Sequence, residues 1–307
     1  MHDPRMTLPA APERLEPDHP SYPRLPPGFG PTLPSIRVAG ELPPWSPCVA
    51  VVGTRRPDPE AAEFAFELGR ALAVAGVVVM SGGALGIDAA AHEGALAGGG
   101  RTVAVLGTGL DRAYPPTHGR LFERIAARGA LVTTAPDGAA AHKGRFLRRN
   151  ELVAALADSV VVVQAPDRSG ALSTAAAARR FGRGVFAVPA APWDVRGRGG
   201  SALLRRGALV CTSPEDVLSV SAPERRPVLP GRSRESTKQC EFEDFGGDEG
   251  IVLSALGSRP RHVDEVARAT GLPAARVQRT LLTLLLGGQV DERDGGRYVR
   301  ATRNPRR

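Results

Sequence analysis

The chain has 307 residues, of which 42% are hydrophobic and 23% are charged, so it should form about two folded domains and is too apolar for a disordered polyelectrolyte. No run approaches the ~18 apolar residues of a membrane-spanning helix, and the first residues lack the apolar segment of a signal peptide, so we expect a cytoplasmic protein with no membrane partner. The net charge of +8 is consistent with a polyanionic partner, but a GC-rich genome would also give this arginine-rich composition.

The three cysteines, Cys48, Cys211 and Cys240, lie far apart in the sequence and form no CxxC pair. This usage favours a reducing compartment and argues against a structural zinc site.

Residues 1–47 contain 13 prolines. Because proline fixes φ and removes a backbone donor, we predict that this segment is an extended N-terminal arm without regular helix or strand.

From residue 48 to residue 220, short β-branched runs alternate with alanine-rich stretches. This alternation predicts an α/β domain with a doubly wound, mainly parallel sheet covered by helices. The predicted strands are 48–52, 77–80, 102–106, 130–133, 160–164, 185–188 and 208–211. The predicted helices are 59–75, 88–97, 120–128, 150–157, 171–181 and 202–206.

Residues 221–247 mix proline, glycine, serine and charges without periodicity, which predicts a flexible linker. Residues 248–300 then form a separate small domain, with helices at 249–256, 263–270 and 273–286 and strands at 289–292 and 297–300. Three helices followed by a hairpin indicate a winged helix, and residues 301–307 form a basic tail.

Glycine-rich loops follow the predicted strands. They include Gly53 to Arg56, Ser81 to Asp88, Gly107 to Asp111 and Ser169 to Thr174. In an open parallel sheet the carboxyl ends of the strands meet at one edge, and glycine turns that lead into helices present N–H groups to anions. The set predicts a phosphate-bearing ligand, but neither GxGxxG after the first strand nor GxxxxGK[ST] occurs, so we expect no nucleotide cofactor.

A basic cluster follows the fourth strand, where Lys143, Arg145, Arg148 and Arg149 surround Phe146. Cations that neutralise phosphates beside a ring that stacks on a base are typical of single-stranded nucleic-acid sites. A solvated loop anchored by one phenylalanine explains the pattern equally well.

Asp88 and His92 are four residues apart, a spacing that could hold a metal on one helix face. No third ligand has suitable spacing, so we expect Asp88 to be a helix N-cap, His92 to be its hydrogen-bonded partner, and no metal to bind. The hydroxyls near the glycine loops have no evident base and orienting acid, so we assign no catalytic residue.

The motifs of residues 48–220 together resemble the DprA/Smf family of DNA-processing proteins in sequence, order and spacing. The similarity runs from about Tyr22 to Leu218 and resumes from Asp248 to Arg300. The segments that carry it are VVGTRRPDPE, SGGALGIDAAAHEGAL, GGRTVAVLGTGLDRAYPPTH, FLRRNELVAALAD, SGALSTAAAARRFGRGVFAVP and LLRRGALV.

The resemblance implies an extended Rossmann-like fold with a C-terminal winged helix and no enzyme activity. It also implies a protein that binds and protects single-stranded DNA during natural transformation, loads the RecA recombinase and forms a homodimer through the Rossmann-like domain. The DNA-binding residues that it implies are Arg55, Ser81, Gly82, Lys143, Phe146, Arg149, Asn150, Ser169 and Gly170.

The chain departs from the family pattern at two charged positions. Leu85 stands where the pattern SGxARGID has arginine, and Glu151 stands where RNR has its second arginine. If both positions face the DNA, one positive charge is lost and another is reversed.

Two other functions fit the same domain. One is a phosphoribohydrolase-like enzyme, although 171–183 contains no acidic residue that could stabilise an oxocarbenium-like transition state. The other is a sensor of a small nucleotide. For the winged helix, helix 273–286 is rich in leucine and poor in charge, which favours a contact with protein over one with duplex DNA.

Overall fold

The computed structural model describes residues 6, 8–30, 32–44, 47–221, 245–256, 260–293 and 295–301. The chain divides into two compact units, Met1–Val228 and Leu229–Arg307. Most of the predicted linker 221–247 and of the tail 301–307 lies outside the described residues. None of the described helices is long and apolar enough to cross a membrane.

A nine-stranded sheet forms the centre of the first unit. In chain order its strands are β1 (Glu13–Leu15), β2 (Ile36–Gly40), β3 (Cys48–Val52), β4 (Val78–Ser81), β5 (Thr102–Leu106), β6 (Ala130–Thr133), β7 (Ser159–Val162), β8 (Gly184–Ala187) and β9 (Leu209–Val210). The spatial order is β1-β2-β6-β5-β4-β3-β7-β8-β9, and strands β3 to β9 pair in parallel. The predicted doubly wound, mainly parallel α/β fold is therefore confirmed.

Helices cover both faces of this sheet. They are α1 (Pro59–Val74), α2 (Ile87–Ala97), α3 (Gly119–Arg128), α4 (Lys143–Leu156), α5 (Gly170–Arg180), α6 (Arg198–Arg205) and α7 (Pro214–Ser221). Side chains alternate along β3, so that Val49 and Val51 pack with α1 and α2 while Ala50 and Val52 pack with α4 and α5. Burial on both faces explains the continuous apolar runs that predicted these strands.

The expectation that residues 1–47 hold no regular structure is wrong. β2 pairs antiparallel with β6, and β1 pairs with β2, so the segment extends the sheet at one edge. The prolines all lie outside these two strands, and Ile36 and Val38 supply buried apolar side chains. The many prolines thus indicate the connecting segments, and they hide the two short strands near the end of the sheet from a prediction based on composition.

Helix α4 begins seven residues earlier than predicted. The imidazole of His142 accepts the N–H of Gly144 at 3.2 Å and caps the helix, so the basic cluster forms its first two turns. The prediction places these residues in the segment before helix 150–157, because the exposed charged side chains of the first two turns form no apolar pattern. Helix α7 has no counterpart among the predicted helices.

The second unit contains α8 (Phe245–Ala255), β10 (Arg261–His262), α9 (Val263–Thr270), α10 (Ala274–Leu286), β11 (Val290–Arg293) and β12 (Arg297–Arg300). Its strands are ordered β10-β12-β11, and its core includes Val252, Val266, Val277 and Leu281. Three helices with this small sheet confirm the predicted winged helix, to which the structure adds β10. On α10, Leu282 and Leu286 remain exposed.

Candidate functional site

A cavity of about 810 Å³ opens at the carboxyl ends of β3, β4 and β7. Its walls are the loops that follow these strands and the first turns of α4 and α5. The glycine-rich loops are predicted to meet here, at the carboxyl ends of the parallel strands.

Two glycines allow these walls to approach each other. A Cβ on Gly53 would lie 2.6 Å from Cγ1 of Ile87 and 2.9 Å from the carbonyl oxygen of Gln164. A Cβ on Gly82 would overlap the guanidinium of Arg149. Both positions therefore require glycine because of close contacts rather than because of backbone dihedrals.

Most of the predicted site residues line this cavity. They are Arg55, Gly82, Lys143, Phe146, Arg149, Asn150, Ser169 and Gly170. Ser81 does not line it. This residue ends β4 and is completely buried, and its hydroxyl donates to the carbonyl oxygen of Val51 at 2.6 Å. Ser81 therefore joins two strands and presents no side chain to a ligand.

Arg149 lies beneath the cavity surface with only 7% of its area exposed. Nη1 donates to the carbonyl oxygens of Gly82 and of Val105, the latter at 2.9 Å, and Nε donates to Oδ1 of Asn150 at 2.9 Å. Burial lowers the pKa of this guanidinium, and the negative charge of Asp88 opposes that shift. Arg149 is therefore a structural cation, with two of its nitrogens already bonded inside the protein.

The expected role of Asp88 as an N-cap is wrong. Helix α2 begins at Ile87 with Gly86 as its N-cap. Oδ2 of Asp88 instead accepts the backbone N–H groups of Gly82 and Ala84, at 3.2 and 3.3 Å. Burial raises the pKa of Asp88, whereas the charge of Arg149 and these hydrogen bonds lower it. Asp88 thus fixes the loop after β4.

His92 does not pair with Asp88. The Thr102 hydroxyl donates to the carbonyl oxygen of Val79 at 2.7 Å, so it must accept from Nδ1–H of His92, which is also 2.7 Å away. Burial lowers the pKa of His92 to about 3, and Nε2 has no partner among the described atoms. The described residues contain no cluster of three or more His, Cys, Asp or Glu side chains that could hold a metal.

The ring of Phe146 lies between two arginines and a tyrosine at the cavity. The guanidinium carbons of Arg55 and Arg149 lie 5.5 and 5.7 Å from its ring centroid, and the ring of Tyr114 lies 5.6 Å away. A Cβ on Gly107 would come within 2.8 Å of the Phe146 ring, so glycine is needed there as well. These contacts fix the ring at the cavity and hold Arg55 over it.

Asn150 connects α4 to the start of α5. Nδ2 donates to the carbonyl oxygen of Gly170 at 3.2 Å and to Oγ of Ser173 at 2.9 Å. Ser169 caps α5 by accepting the N–H of Ala171 at 3.3 Å. This side of the cavity is therefore the N-terminus of a helix, whose dipole favours an anion.

Two lining cations, Arg56 and Arg168, were not among the predicted site residues. Arg168 immediately precedes the Ser169-Gly170 turn, and this position next to two predicted site residues is the sequence feature that could have identified it. With Arg55 and Lys143 they give four exposed cations, whereas Asp88 is the one carboxylate among the residues that line the cavity. The cavity is thus strongly electropositive.

The two departures from the family pattern have different settings. Leu85 is 46% exposed and lines a side pocket of about 70 Å³ with Tyr114, Pro115 and Phe146. Glu151 does not line the cavity, and its Oε1 accepts from Nη2 of Arg180 at 2.9 Å. The charge that the family pattern has at residue 85 is therefore missing from the side pocket, and the cavity contains no reversed charge at residue 151.

These features define a two-unit protein in which a Rossmann-like domain with an electropositive cavity is followed by a winged helix. The model of the DNA recombination-mediator protein A family matches residues 14–222, and that of the DprA winged helix domain matches residues 244–296. The chain belongs to the DprA/Smf family.

Two curated relatives and two solved structures show the extent of the similarity. Protein Smf of Synechocystis sp. is 33% identical over 94% of this chain and 80% of its own length. The putative DNA processing protein DprA of Mycobacterium tuberculosis is 41% identical over 80% of this chain, which spans 62% of that relative.

Among solved structures, DNA processing protein A of Streptococcus pneumoniae is 36% identical, with a TM-score of 0.58 over 61% of this chain and 66% of its own. DNA processing protein A of Helicobacter pylori, whose structure describes a single-stranded DNA binding mode, is 30% identical to this chain in sequence. Its TM-score is 0.59, over 68% of this chain and 94% of its own.

The buried position of Arg149 predicts that Arg149→Ala destabilises the fold. The substitution leaves two carbonyls without their donor and Asp88 without a compensating charge, which together should lower the free energy of unfolding by about 2 to 5 kcal/mol. The matched control is Arg148→Ala, which removes the neighbouring exposed arginine of α4. Urea denaturation of both variants measures the difference, and equal midpoints would contradict the structural role.

Proposed function

We propose that this protein binds single-stranded DNA in the electropositive cavity. The observation that carries the proposal is that four exposed cations line the same cavity as the Phe146 ring, over which Arg55 lies. Cations neutralise the phosphates of a strand and release counterions, and an aromatic ring offers a face for an unpaired base. The single-stranded DNA binding mode of the Helicobacter pylori relative supports the same ligand class.

A single strand should bind in preference to a duplex. A flexible strand can enter a concave site and turn its bases toward Phe146, whereas a blunt duplex is stiff and keeps its base faces stacked. In the winged helix, the exposed Leu282 and Leu286 on α10 favour a protein contact over a duplex groove.

We also propose that the cavity binds its ligand without catalysing a reaction. The one carboxylate that lines it, Asp88, is buried and accepts two backbone N–H groups, so it is poorly placed to act as a general acid or nucleophile. A sensor of small nucleotides remains the competing proposal for the same cavity.

Three substitutions test the DNA-binding proposal, Arg55→Ala, Lys143→Ala and Arg168→Ala. Each should weaken binding to oligo-dT by about 1 to 3 kcal/mol, the scale of a charge-assisted contact, without a large change in thermal stability. The control is Arg128→Ala. This substitution removes an exposed arginine at the end of α3, which lies near the amino-terminal ends of the parallel strands, away from the cavity. Fluorescence anisotropy at fixed salt measures all four variants.

Three outcomes would refute DNA binding in this cavity. They are equal affinity for oligo-dT and a blunt duplex, competition by a mononucleotide as effective as that by an oligomer, and an equal effect of Arg128→Ala. Competition by the mononucleotide would favour the nucleotide sensor.

In the cell, we propose that the bound strand is incoming DNA in natural transformation or recombination, that the protein protects it in the cytoplasm, and that RecA is loaded onto it. Membership of the recombination-mediator family supports this role. The protein should accelerate RecA assembly on DNA coated with a single-strand-binding protein, and Lys143→Ala should reduce the effect. Unchanged RecA assembly in the presence of the wild type would refute the RecA role and leave DNA binding intact.

We propose that two copies form a homodimer through the β9 edge of the sheet. Leu209 and Val210 on this edge are 47% and 52% exposed, and Val220 of α7 is 56% exposed. A strand at the end of the strand order with exposed apolar side chains favours association with a second copy.

Sedimentation should give twice the 32.2 kDa mass of the chain for the wild type and the monomer mass for Val210→Asp. Leu33→Asp is the control because Leu33 is 42% exposed and precedes β2, near the other end of the strand order. A monomeric wild type would contradict the proposal.

A further inference from the structure

The loop that follows β8 presents an exposed tryptophan. Trp193 is 83% exposed, the largest value among the large apolar side chains of the described residues. A side chain of this size contributes almost nothing to the core when it is exposed to this extent. Its position therefore calls for an explanation in terms of binding.

Two consecutive turns fix the backbone on either side of Trp193. The N–H of Asp194 donates to the carbonyl oxygen of Ala191 at 2.9 Å, which places Trp193 at the third position of a turn. The carboxylate of Asp194 then accepts the N–H of Arg196 at 2.9 Å, and the N–H of Gly197 donates to the carbonyl oxygen of Asp194 at 3.2 Å. The backbone that carries the indole is thus fixed by hydrogen bonds on both sides.

This loop lies at the same edge of the sheet as the cavity. It begins where the N–H of Val188 donates to Val162 of β7 at 3.0 Å, and it ends where the N–H of Gly199 donates to Ala165 at 2.8 Å. Between these points, Nη2 of Arg196 lies 3.3 Å from the carboxylate of Asp58. The loop is therefore fastened to the segment after β3 and to the segment after β7.

Those two segments also supply Arg56 and Arg168 to the cavity. Asp58 is two residues beyond Arg56, and Ala165 is three residues before Arg168. Three residues of extended chain span at most about 10 Å, so Trp193 lies a short distance from the anchored Arg196. A strand that leaves the cavity past the two arginines can reach the indole.

The charges around Trp193 favour a polyanion over a protein. Arg196 and Arg198 are exposed on the same loop and at the start of α6. Arg196 is itself paired with the carboxylates of Asp58 and Asp194, at 3.3 and 3.5 Å. Outside these pairs, the exposed cations Arg56, Arg168 and Arg198 outnumber Asp167, the exposed acid of the adjoining loop.

We propose that Trp193 is a second stacking site for single-stranded DNA, outside the cavity, which receives a base of the strand after it passes Arg56 and Arg168. The proposal rests on the proposed function and extends the binding path by at least one nucleotide. Stacking on an indole requires no particular base, so the extension adds affinity without sequence preference.

The effect should depend on the length of the DNA. For an oligo-dT of about 20 nucleotides, Trp193→Ala should lower affinity by about 5- to 150-fold, the range for loss of one base–aromatic stack. For an oligomer of about 4 nucleotides, which the cavity alone can hold, the affinity should not change. Trp193→Phe should retain most of the affinity for the long oligomer, and Val195→Ala is the control for an exposed apolar side chain of the same loop.

Fluorescence provides an independent measurement. The chain has two tryptophans, Trp45 and Trp193, so Trp45→Phe leaves Trp193 as the single indole. In this background, long oligo-dT should quench the emission and protect the indole from acrylamide, and the short oligomer should do neither.

The inference is overturned if Trp193→Ala binds the long oligomer as the wild type does, or if it weakens binding of both lengths equally. It is also overturned if the variant changes the mass of the assembly instead of the DNA affinity, because Trp193 would then contact protein. In each case, weakened binding by Lys143→Ala would show that the proposed function stands. A wild type that binds no oligomer would instead refute the proposed function.

Discussion

The arrangement of the site depends on one buried guanidinium. Arg149 donates from α4 to the carbonyls of Gly82, after β4, and of Val105, within β5, while its charge is compensated by Asp88. Removing a guanidinium from water is costly unless its donors and its charge are satisfied, and here the loop after β4 is shaped to satisfy them. A Cβ at Gly82 would occupy the space of the guanidinium, so the glycine and the arginine require each other.

This interaction fixes the start of α4, and with it the side chains that face the cavity. Phe146 and Lys143 lie one and two turns before Arg149, and Asn150 follows it and bonds to the first turn of α5. The buried cation therefore fixes the first turns of α4, which carry the exposed Lys143 and the Phe146 ring that Arg55 contacts. Without it, these two side chains would lose their fixed position at the cavity.

The sequence predicted the parallel sheet well because its strands are buried on both faces and read as uninterrupted apolar runs. It predicted the cavity edge because the carboxyl ends of parallel strands must meet there. The errors have a common origin in residues whose side chains bond outside their own helix or strand. Asp88 resembles an N-cap in one dimension but binds the loop before its helix, and Ser81 belongs to a glycine motif but bonds to the neighbouring strand. Local patterns do not encode such partners, nor do they show that Ile36–Gly40 pairs with a strand about 90 residues away.

The buried charges of Arg149 and Asp88 hold the walls of the cavity together, and we propose that the exposed cations neutralise DNA phosphates. The most direct measurement is the dependence of oligo-dT affinity on salt concentration. If three or four cations each engage a phosphate, a plot of log affinity against log salt should be linear with a slope of about −2 to −3. A slope near zero would show that no phosphates are neutralised and would contradict the account.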